Sequence, residues 1–184
     1  MIERLINEEG FYLAIGAQGS GKTLLSVALL FELSKIFPNK KIFSNTTLYN
    51  INYEKYDFDG LLENIKNNNN YYDNSIILFD EIHIFLNSLD YYKKQNRLVQ
   101  GFFSQLRKRR IFLLGTAQYI LNVDVRIRRQ AKKVFEIFKH NNHIYEVNVH
   151  LIDGYFTQLI DTVYLKLDKY YNKYDTYEII YWQN

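Results

Sequence analysis

The sequence predicts an α/β fold with a mainly parallel central sheet, flanked by helices and extended near its C-terminal end by a β-hairpin. Two observations predict the parallel part. A short apolar run at 11–15 precedes a glycine-rich loop and a helix-forming stretch at 24–37, which ends before Pro38, a residue that cannot continue a helix. A second apolar run at 75–79 ends in two acidic residues, as a central parallel strand does when its carboxyl edge binds a ligand.

The hairpin is predicted from the residues that follow 131. Between 145 and 151 apolar residues alternate with polar ones, so this strand has one face toward water. The pair Asn141-Asn142 before it is a two-residue turn signal. The segment 155–169 fits a strand or a helix equally well, and 177–181 has the composition of a short strand.

The glycine-rich loop has the pattern of a phosphate-binding loop. It reads G-x-x-x-x-G-K-T, and its residues are Gly16, Ala17, Gln18, Gly19, Ser20, Gly21, Lys22 and Thr23. Glycines let consecutive backbone N–H groups turn toward a phosphate, in conformations that side chains would forbid. We expect Lys22 to reach the β- and γ-phosphates and the hydroxyl of Thr23 to bind Mg²⁺. The loop therefore predicts ATP and Mg²⁺ as cofactors.

The acidic pair Asp80-Glu81 is the second element of the predicted site. We expect Asp80 to hold the Mg²⁺ ion that bridges the phosphates, which makes this strand end a Walker B motif. We expect Glu81 to orient and deprotonate the water that attacks the γ-phosphate. The alternative is that both acids only favour a helix N-terminus through the helix dipole. Beside a phosphate-binding loop, the pair favours hydrolysis of ATP over phosphoryl transfer to a small molecule.

A third apolar run, 111–117, leads to Gln118 at the same edge of the sheet. We expect Gln118 to contact the γ-phosphate or the attacking water, and a polar residue that merely ends a strand is the alternative. Before this run, 97–110 fits a helix with one apolar stripe. Its four terminal cations, 107–110, exceed what is needed to complement a helix dipole.

The composition limits the remaining choices. The net charge of +3 is too small to demonstrate a nucleic-acid partner, and the absence of cysteine excludes disulfides and thiol chemistry. Residues 1–10 lack the apolar core of a signal peptide, and no apolar run approaches the roughly 20 residues that span a bilayer. We therefore expect a soluble protein with a single domain, 1–184, made of a nucleotide-binding core at 1–130 and a β-rich extension at 131–184.

In their order along the chain, these motifs resemble those of the additional-strand, catalytic-glutamate P-loop ATPases, which have a RecA-like fold. The details are similar to the FtsK–HerA superfamily, and within it to the genome-packaging ATPases of archaeal viruses and phages. The resemblance covers nearly the whole chain. Besides the phosphate-binding loop, it is carried by the blocks DEIH at 80–83, QLRKRR at 105–110, GTAQ at 115–118, VDVRIR at 123–128 and YDTYE at 174–178.

The resemblance implies a ring of subunits, commonly a hexamer, with ATP held between neighbours and double-stranded DNA passing through the centre. It also implies an arginine that reaches the neighbour's ATP, where it would raise the rate by roughly 10³–10⁵-fold. Arg107 matches that position best, and Arg126 and Arg129 are second candidates. The implied partners are double-stranded DNA, further copies of the chain, and capsid or vertex proteins, with no membrane. The implied location is the host cytoplasm, or the virion vertex.

Three other functions stay open from the sequence. One is a virion-assembly or export ATPase resembling the Zot-like proteins of filamentous phages, which typically carry a membrane anchor. Another is a P-loop kinase, which Glu81 disfavours, and the last is a nucleotide-dependent switch with negligible turnover. The sequence does not define the DNA-binding residues, for which the surroundings of Lys40-Lys41 and the segment 132–140 are candidates.

Overall fold

The computed structural model describes residues 2–67, 70–87, 94–141, 143–153 and 156–178. Within these ranges the strands are β1 (Gly10–Ile15), β2 (Lys41–Ser44), β3 (Glu54–Lys55), β4 (Ser75–Phe79), β5 (Phe112–Ala117), β6 (Ala131–Lys139), β7 (Tyr145–Asp153) and β8 (Phe156–Leu165). The helices are α1 (Lys22–Ile36), α2 (Phe58–Lys66), α3 (Ile82–Phe85), α4 (Lys94–Phe103) and α5 (Val125–Arg128). Short 3-10 turns lie at Ile2–Leu5, Asn70–Tyr72, Ile120–Asn122 and Asp168–Lys173.

The strands form one sheet in the order β3-β2-β4-β5-β1-β6-β7-β8. All pairings from β3 to β6 are parallel, and β6, β7 and β8 pair in antiparallel fashion. The predicted parallel sheet and its C-terminal hairpin are therefore confirmed, and the segment left open at 155–169 supplies the third antiparallel strand. Strand β5 lies between β4 and β1, so the acidic pair after β4 is separated from the phosphate-binding loop by one inserted strand.

Helix α1 holds the phosphate-binding loop in place from one face of the sheet. Its residues Leu25, Val27, Ala28 and Leu30 are fully buried. The outer side of α1 is buried as well, because the 3-10 turns Ile2–Leu5 and Asp168–Lys173 pack over it. The opposite face of the sheet is covered by α2, α3 and α4. Among the described residues, none of the helices could span a lipid bilayer.

The predicted helix at 97–110 is wrong in its second half. Helix α4 ends at Phe103, and 104–110 form turns. The backbone N–H of Ile111 bonds the carbonyl of Leu106 at 2.9 Å, and Arg110 adopts a left-handed conformation with φ of 57°. These features reverse the chain so that it enters β5. The spacing of apolar residues cannot reveal such a reversal, because Leu106 would be buried in a continued helix just as it is in the observed turn.

Several smaller segments complete the description of the chain. The polar stretch 45–60 contains the short strand β3 and the start of α2, which begins where the side chain of Asp57 accepts a bond from the N–H of Gly60 at 2.7 Å. Of the predicted strand 177–181, Tyr177 lies in a turn and 179–181 lie outside the described residues. Asn142, the second residue of the turn signal before β7, also lies outside the described residues. The side chain of Asn141 accepts hydrogen bonds from the backbone N–H groups of His143 and Ile144.

The 3-10 turn at Asp168–Lys173 docks on α1 through Glu32, and this contact gives stability a pH dependence. Burial would raise the pKa of Glu32, but hydrogen bonds from Lys35, Tyr170 and Lys169 outweigh it and lower the pKa to about 2 from its ordinary 4.5. A carboxylate with a lowered folded pKa stabilises the fold above its unfolded pKa and loses that effect as the pH falls. Urea unfolding should therefore show about 1–2 kcal/mol lost between pH 4.5 and 2. The variant Glu32→Gln should lack this part of the acid sensitivity, and an unchanged pH profile would contradict the prediction.

Candidate nucleotide-binding site

The phosphate-binding loop leaves β1 at the carboxyl edge of the sheet. The N–H of Gly16 donates to the carbonyl of Gln118 at 3.2 Å, which ties the start of the loop to the end of β5. Gly19 and Gly21 have φ of 75° and 102°, the left-handed region that side chains rarely adopt. The ammonium of Lys22 donates to the carbonyl of Ala17 at 3.1 Å, so it lies within the curve of the loop, where a phosphate would be bound.

The β-rich extension forms one wall of this loop. A Cβ atom at Gly21 would lie 2.7 Å from the ring of Tyr145, the first residue of β7. A Cβ atom at Gly16 would lie 2.7 Å from the carbonyl oxygen of Ile137 in β6. The hydroxyl of Tyr145 bonds that of Tyr171 at 2.6 Å, which links the wall to the C-terminal 3-10 turn. The loop is therefore wedged between core and extension, and Gly16 and Gly21 are required by space as well as by backbone conformation.

The two predicted magnesium ligands, Thr23 and Asp80, are in direct contact. The hydroxyl of Thr23 donates to Oδ1 of Asp80 at 2.9 Å. Burial raises the pKa of Asp80, although donors from Thr116 and Thr23 oppose the shift. A desolvated carboxylate beside a hydroxyl fits the oxygen ligands that Mg²⁺ prefers, and a cation there would offset the cost of the buried charge. Thr23 and Asp80 are thus the residues that would hold the ion.

Sequence reasoning missed Thr116 as a site residue. This fully buried residue of β5 donates its hydroxyl proton to Oδ1 of Asp80 at 2.6 Å and accepts from the backbone N–H of Glu81 at 2.8 Å. One hydroxyl therefore fixes the carboxylate of the first acid and the backbone of the second. The polar ending of the third apolar run was the available signal, but only the insertion of β5 between β4 and β1 places this hydroxyl at the acidic pair.

Asn45 was also missed, and it fixes the same strand end from the other side. Its side-chain amide donates to the carbonyl of Asp80 at 2.9 Å and accepts from the backbone N–H of Asp80 at 2.8 Å. The amide thus continues the parallel ladder between β2 and β4 with a side chain. Together with Thr116, it anchors Asp80 from both neighbouring strands.

Glu81 lies just beyond β4 in a left-handed backbone conformation, with φ of 51° and ψ of 43°. This conformation is uncommon for a residue with a side chain and is maintained here by the bond to Thr116. Burial raises the pKa of Glu81, while the charge of Lys22 lowers it. Oε2 of Glu81 lies 3.3 Å from Nδ1 of His83 without hydrogen-bond geometry, and burial lowers the pKa of His83, which favours a neutral ring. The carboxylate can therefore accept a proton from water.

The remaining predicted site residues are Gln118 and the candidate arginines, and the structure places them differently. Gln118 is half-buried directly after β5, and its backbone contacts the phosphate-binding loop. Within one chain, the structure does not bring the predicted arginines together with Gln118 at the phosphate-binding loop. Arg126 is held by Asp124, with Nη2 to Oδ2 at 2.6 Å and Nε to Oδ1 at 3.1 Å. Arg129 is exposed two residues before the start of β6.

Arg107 is exposed at the amino edge of the sheet, the edge opposite the phosphate-binding loop. Its charge acts on Glu8, which precedes β1 and whose pKa is lowered chiefly by a hydrogen bond from Lys132. The structure therefore places Arg107 away from the phosphate-binding loop of its own chain.

The bridging hydroxyl of Thr116 gives a direct test of this geometry. Thr116→Val keeps the shape but removes both hydrogen bonds, so kcat for ATP hydrolysis should fall by about 10- to 100-fold. The KM for ATP should change less than threefold, because the phosphate-binding loop is intact. Thr116→Ser keeps the hydroxyl and should retain most of the activity. Steady-state kinetics on both variants would contradict the prediction if valine and serine behaved alike.

Comparison with known proteins shows the family and the fold class of this chain. A sequence model of the ATPase family associated with various cellular activities (AAA) matches residues 12–139. No curated protein matches the sequence significantly. Among solved structures, the N-terminal domain of zonular occludens toxin from Neisseria meningitidis is similar at 18% identity and a TM-score of 0.65, over 92% of this chain and 100% of that chain.

Two further solved structures share the fold. The genome packaging NTPase B204 from Sulfolobus turreted icosahedral virus 2 has 14% identity and a TM-score of 0.59, over 88% of this chain and 98% of that chain. A DnaB-like replicative helicase has 9% identity and a TM-score of 0.54, over 85% of this chain and 56% of that chain. At such identities the likeness concerns the fold alone, and it confirms the predicted RecA-like P-loop class.

The family match carries more weight because it spans well over half of the chain. It includes the phosphate-binding loop, the acidic pair at 80–81 and Gln118, the same groups that the structure gathers at one edge of the sheet. Sequence, geometry and comparison therefore agree on a P-loop ATPase, and the chain belongs to the AAA family.

Proposed function

We propose that this ATPase is a double-stranded DNA translocase, the genome-packaging motor of a virus, and that it acts as a hexameric ring. Its activity is supported above all by one observation: a half-buried glutamate, Glu81, held by Thr116 beside the metal-binding carboxylate. The DNA substrate is supported by the FtsK–HerA resemblance of the motifs and by the similarity to a viral genome packaging NTPase over almost its whole length.

The proposed chemistry assigns one role to each group. The loop 16–23 binds the triphosphate through its backbone N–H groups, and Lys22 neutralises the β- and γ-phosphates. Thr23 and Asp80 hold Mg²⁺, which neutralises charge on the phosphate oxygens when bound. Glu81 orients the attacking water and accepts its proton, while Gln118 contacts the γ-phosphate or that water. Each of these groups lies at the carboxyl edge of β1, β4 or β5.

A ring is proposed because no predicted arginine is placed at the phosphate-binding loop within one chain. Arg107 and Arg129 are exposed and can reach a neighbouring copy, so they are the candidates for the arginine that acts on the neighbour's ATP. Arg126 is a weaker candidate, since its guanidinium is already bonded to the buried carboxylate of Asp124. Further proposed partners are capsid or vertex proteins, and the proposed location is the host cytoplasm or the virion vertex.

The test is ATP hydrolysis by the purified protein with and without double-stranded DNA, beside Glu81→Gln. A translocase should be stimulated by DNA several-fold, the stimulation should weaken as salt rises, and the variant should show none. Hydrolysis that is indifferent to DNA at low salt would contradict translocation while leaving the ATPase intact. Absence of hydrolysis under all conditions would contradict the enzyme itself.

A virion-assembly or export ATPase of the Zot-like type is the second candidate. It is favoured by the similarity to the N-terminal domain of zonular occludens toxin, which this chain matches over 100% of that domain. The same assay separates the two candidates, because an assembly ATPase should hydrolyse ATP without stimulation by DNA.

A further inference from the structure

We propose that the segment 104–110, which we name the cationic turn, is a binding surface for the phosphate backbone of nucleic acid. Three of its side chains, Arg107, Lys108 and Arg110, are exposed. The choice of double-stranded DNA as partner rests on the proposed function. The placement of the surface rests on how the turn is built and on the charges around it.

The cationic turn is fixed to the fold by its other side chains. Leu106 is buried, with 1% of its surface exposed. Arg109 pairs with Asp73, with Nε and Oδ1 at 2.5 Å, and its guanidinium lies 5.1 Å from the ring centre of Phe102. The turn therefore keeps its conformation without help from the three exposed cations.

Backbone contacts complete this support. The carbonyl of Arg109 accepts from the N–H of Asn74 at 2.9 Å, and that of Arg110 accepts from the ammonium of Lys40 at 2.5 Å. Lys40 is itself buried, so one of the candidates that the sequence suggested for DNA binding supports this turn from within. The left-handed backbone at Arg110 directs the chain into β5.

The described carboxylates around the turn do not form ion pairs with its exposed cations. Nearby carboxylates are already paired: Glu8 with Lys132 at 3.0 Å, Glu9 with Lys40 at 3.4 Å and Asp73 with Arg109. Arg107, Lys108 and Arg110 form no ion pair with any described residue.

Three cations on one well-held turn, none of them in an ion pair with a described residue, suit a polyanion. Clustered Lys and Arg side chains bind phosphates by releasing condensed counterions, without reading the base sequence. The only apolar side chain of the turn, Leu106, is buried, so the surface offers nothing to insert into a lipid bilayer. Nucleic acid is therefore favoured over an anionic membrane.

The position of the turn keeps this surface apart from the ATP site of its own chain. The six residues of β5 separate it from that nucleotide edge by about 20 Å, so DNA would not compete with the chain's own triphosphate. The same strand runs from the turn directly to Thr116 and Gln118 at the nucleotide site. One rigid element thus joins the proposed DNA contact to the groups that hold the acidic pair.

The test compares Lys108→Gln/Arg110→Gln with the matched control Arg97→Gln/Lys166→Gln, which removes the same charge from exposed sites in α4 and just after β8. Arg107 is left intact because it is a candidate for the neighbour's ATP site. Binding of a labelled random 30-bp duplex is measured between 50 and 200 mM KCl, alongside ATPase activity without DNA. The turn variant should bind roughly 10- to 100-fold more weakly near 100 mM salt, with a log–log salt slope smaller by about 2.

The control variant should bind within about twofold of the unmodified protein, and both variants should keep its ATPase activity without DNA. Equal losses in the two variants, or none in the turn variant, would overturn the placement of the surface and leave the proposed function standing. A protein that fails to bind the duplex but binds vesicles of anionic phospholipid would overturn the nucleic-acid partner, and the proposed translocase with it.

Discussion

Glu81→Gln is expected to lower kcat for ATP hydrolysis by about 10²–10⁴-fold, with little change in nucleotide affinity. Glutamine keeps the size and the backbone bond to Thr116 but cannot accept a proton from water. The phosphate-binding loop and the metal-binding residues Thr23 and Asp80 do not depend on the charge of Glu81. The proton-accepting role predicts loss of turnover rather than loss of binding.

The measurement is steady-state hydrolysis together with equilibrium binding of a non-hydrolysable ATP analogue. Glu54→Gln is the matched control, since Glu54 is exposed on β3 and should leave both quantities unchanged. Because burial raises the pKa of Glu81, activity of the unmodified protein should fall on the acid side as the carboxylate becomes protonated. The residual activity of Glu81→Gln should lack that acid limb. A variant that hydrolysed ATP at more than a tenth of the normal rate would contradict the assignment.

Gly21→Ala should abolish detectable nucleotide binding and destabilise the fold by about 1–3 kcal/mol. The backbone at Gly21 is left-handed, and an added Cβ would meet the ring of Tyr145 at 2.7 Å. That ring is fully packed and bonded through its hydroxyl to Tyr171, so it cannot move aside without disturbing the extension. Relief of the clash would shift the loop that carries Lys22.

Two other glycines provide graded controls for this variant. Gly19→Ala meets no atom within 4 Å but has φ of 75°, so it should weaken nucleotide binding with a smaller loss of stability. Gly101→Ala lies in α4 with open space, so it should leave binding unchanged and add about 0.5–1 kcal/mol of stability. Thermal unfolding and nucleotide binding measured on all three would contradict the steric argument if Gly19→Ala and Gly21→Ala lost equal stability.

The sequence by itself determined the nucleotide-binding elements. Gly16–Thr23, Asp80 and Glu81 are recognisable because a phosphate loop and a metal-binding strand end need fixed residue types at fixed local spacing. The alternating pattern at 145–151 likewise predicted an antiparallel strand with one side facing solvent, and β7 confirms this prediction. In these cases the physical requirement acts within a few consecutive residues, so it leaves a readable local pattern.

The tertiary structure alone decided which groups support that site. Thr116 and Asn45 reach Asp80 only because the strand order places β5 and β2 on either side of β4, and strand order has no local signature. The same holds for Arg126, whose guanidinium is occupied by Asp124. The sequence of the basic segment 107–110 is typical of a helix end. In the folded chain, the burial of Leu106 and the Arg109–Asp73 ion pair stabilise this segment as a turn. Contacts between residues far apart in sequence depend on how elements pack, and that information appears only when the chain is folded.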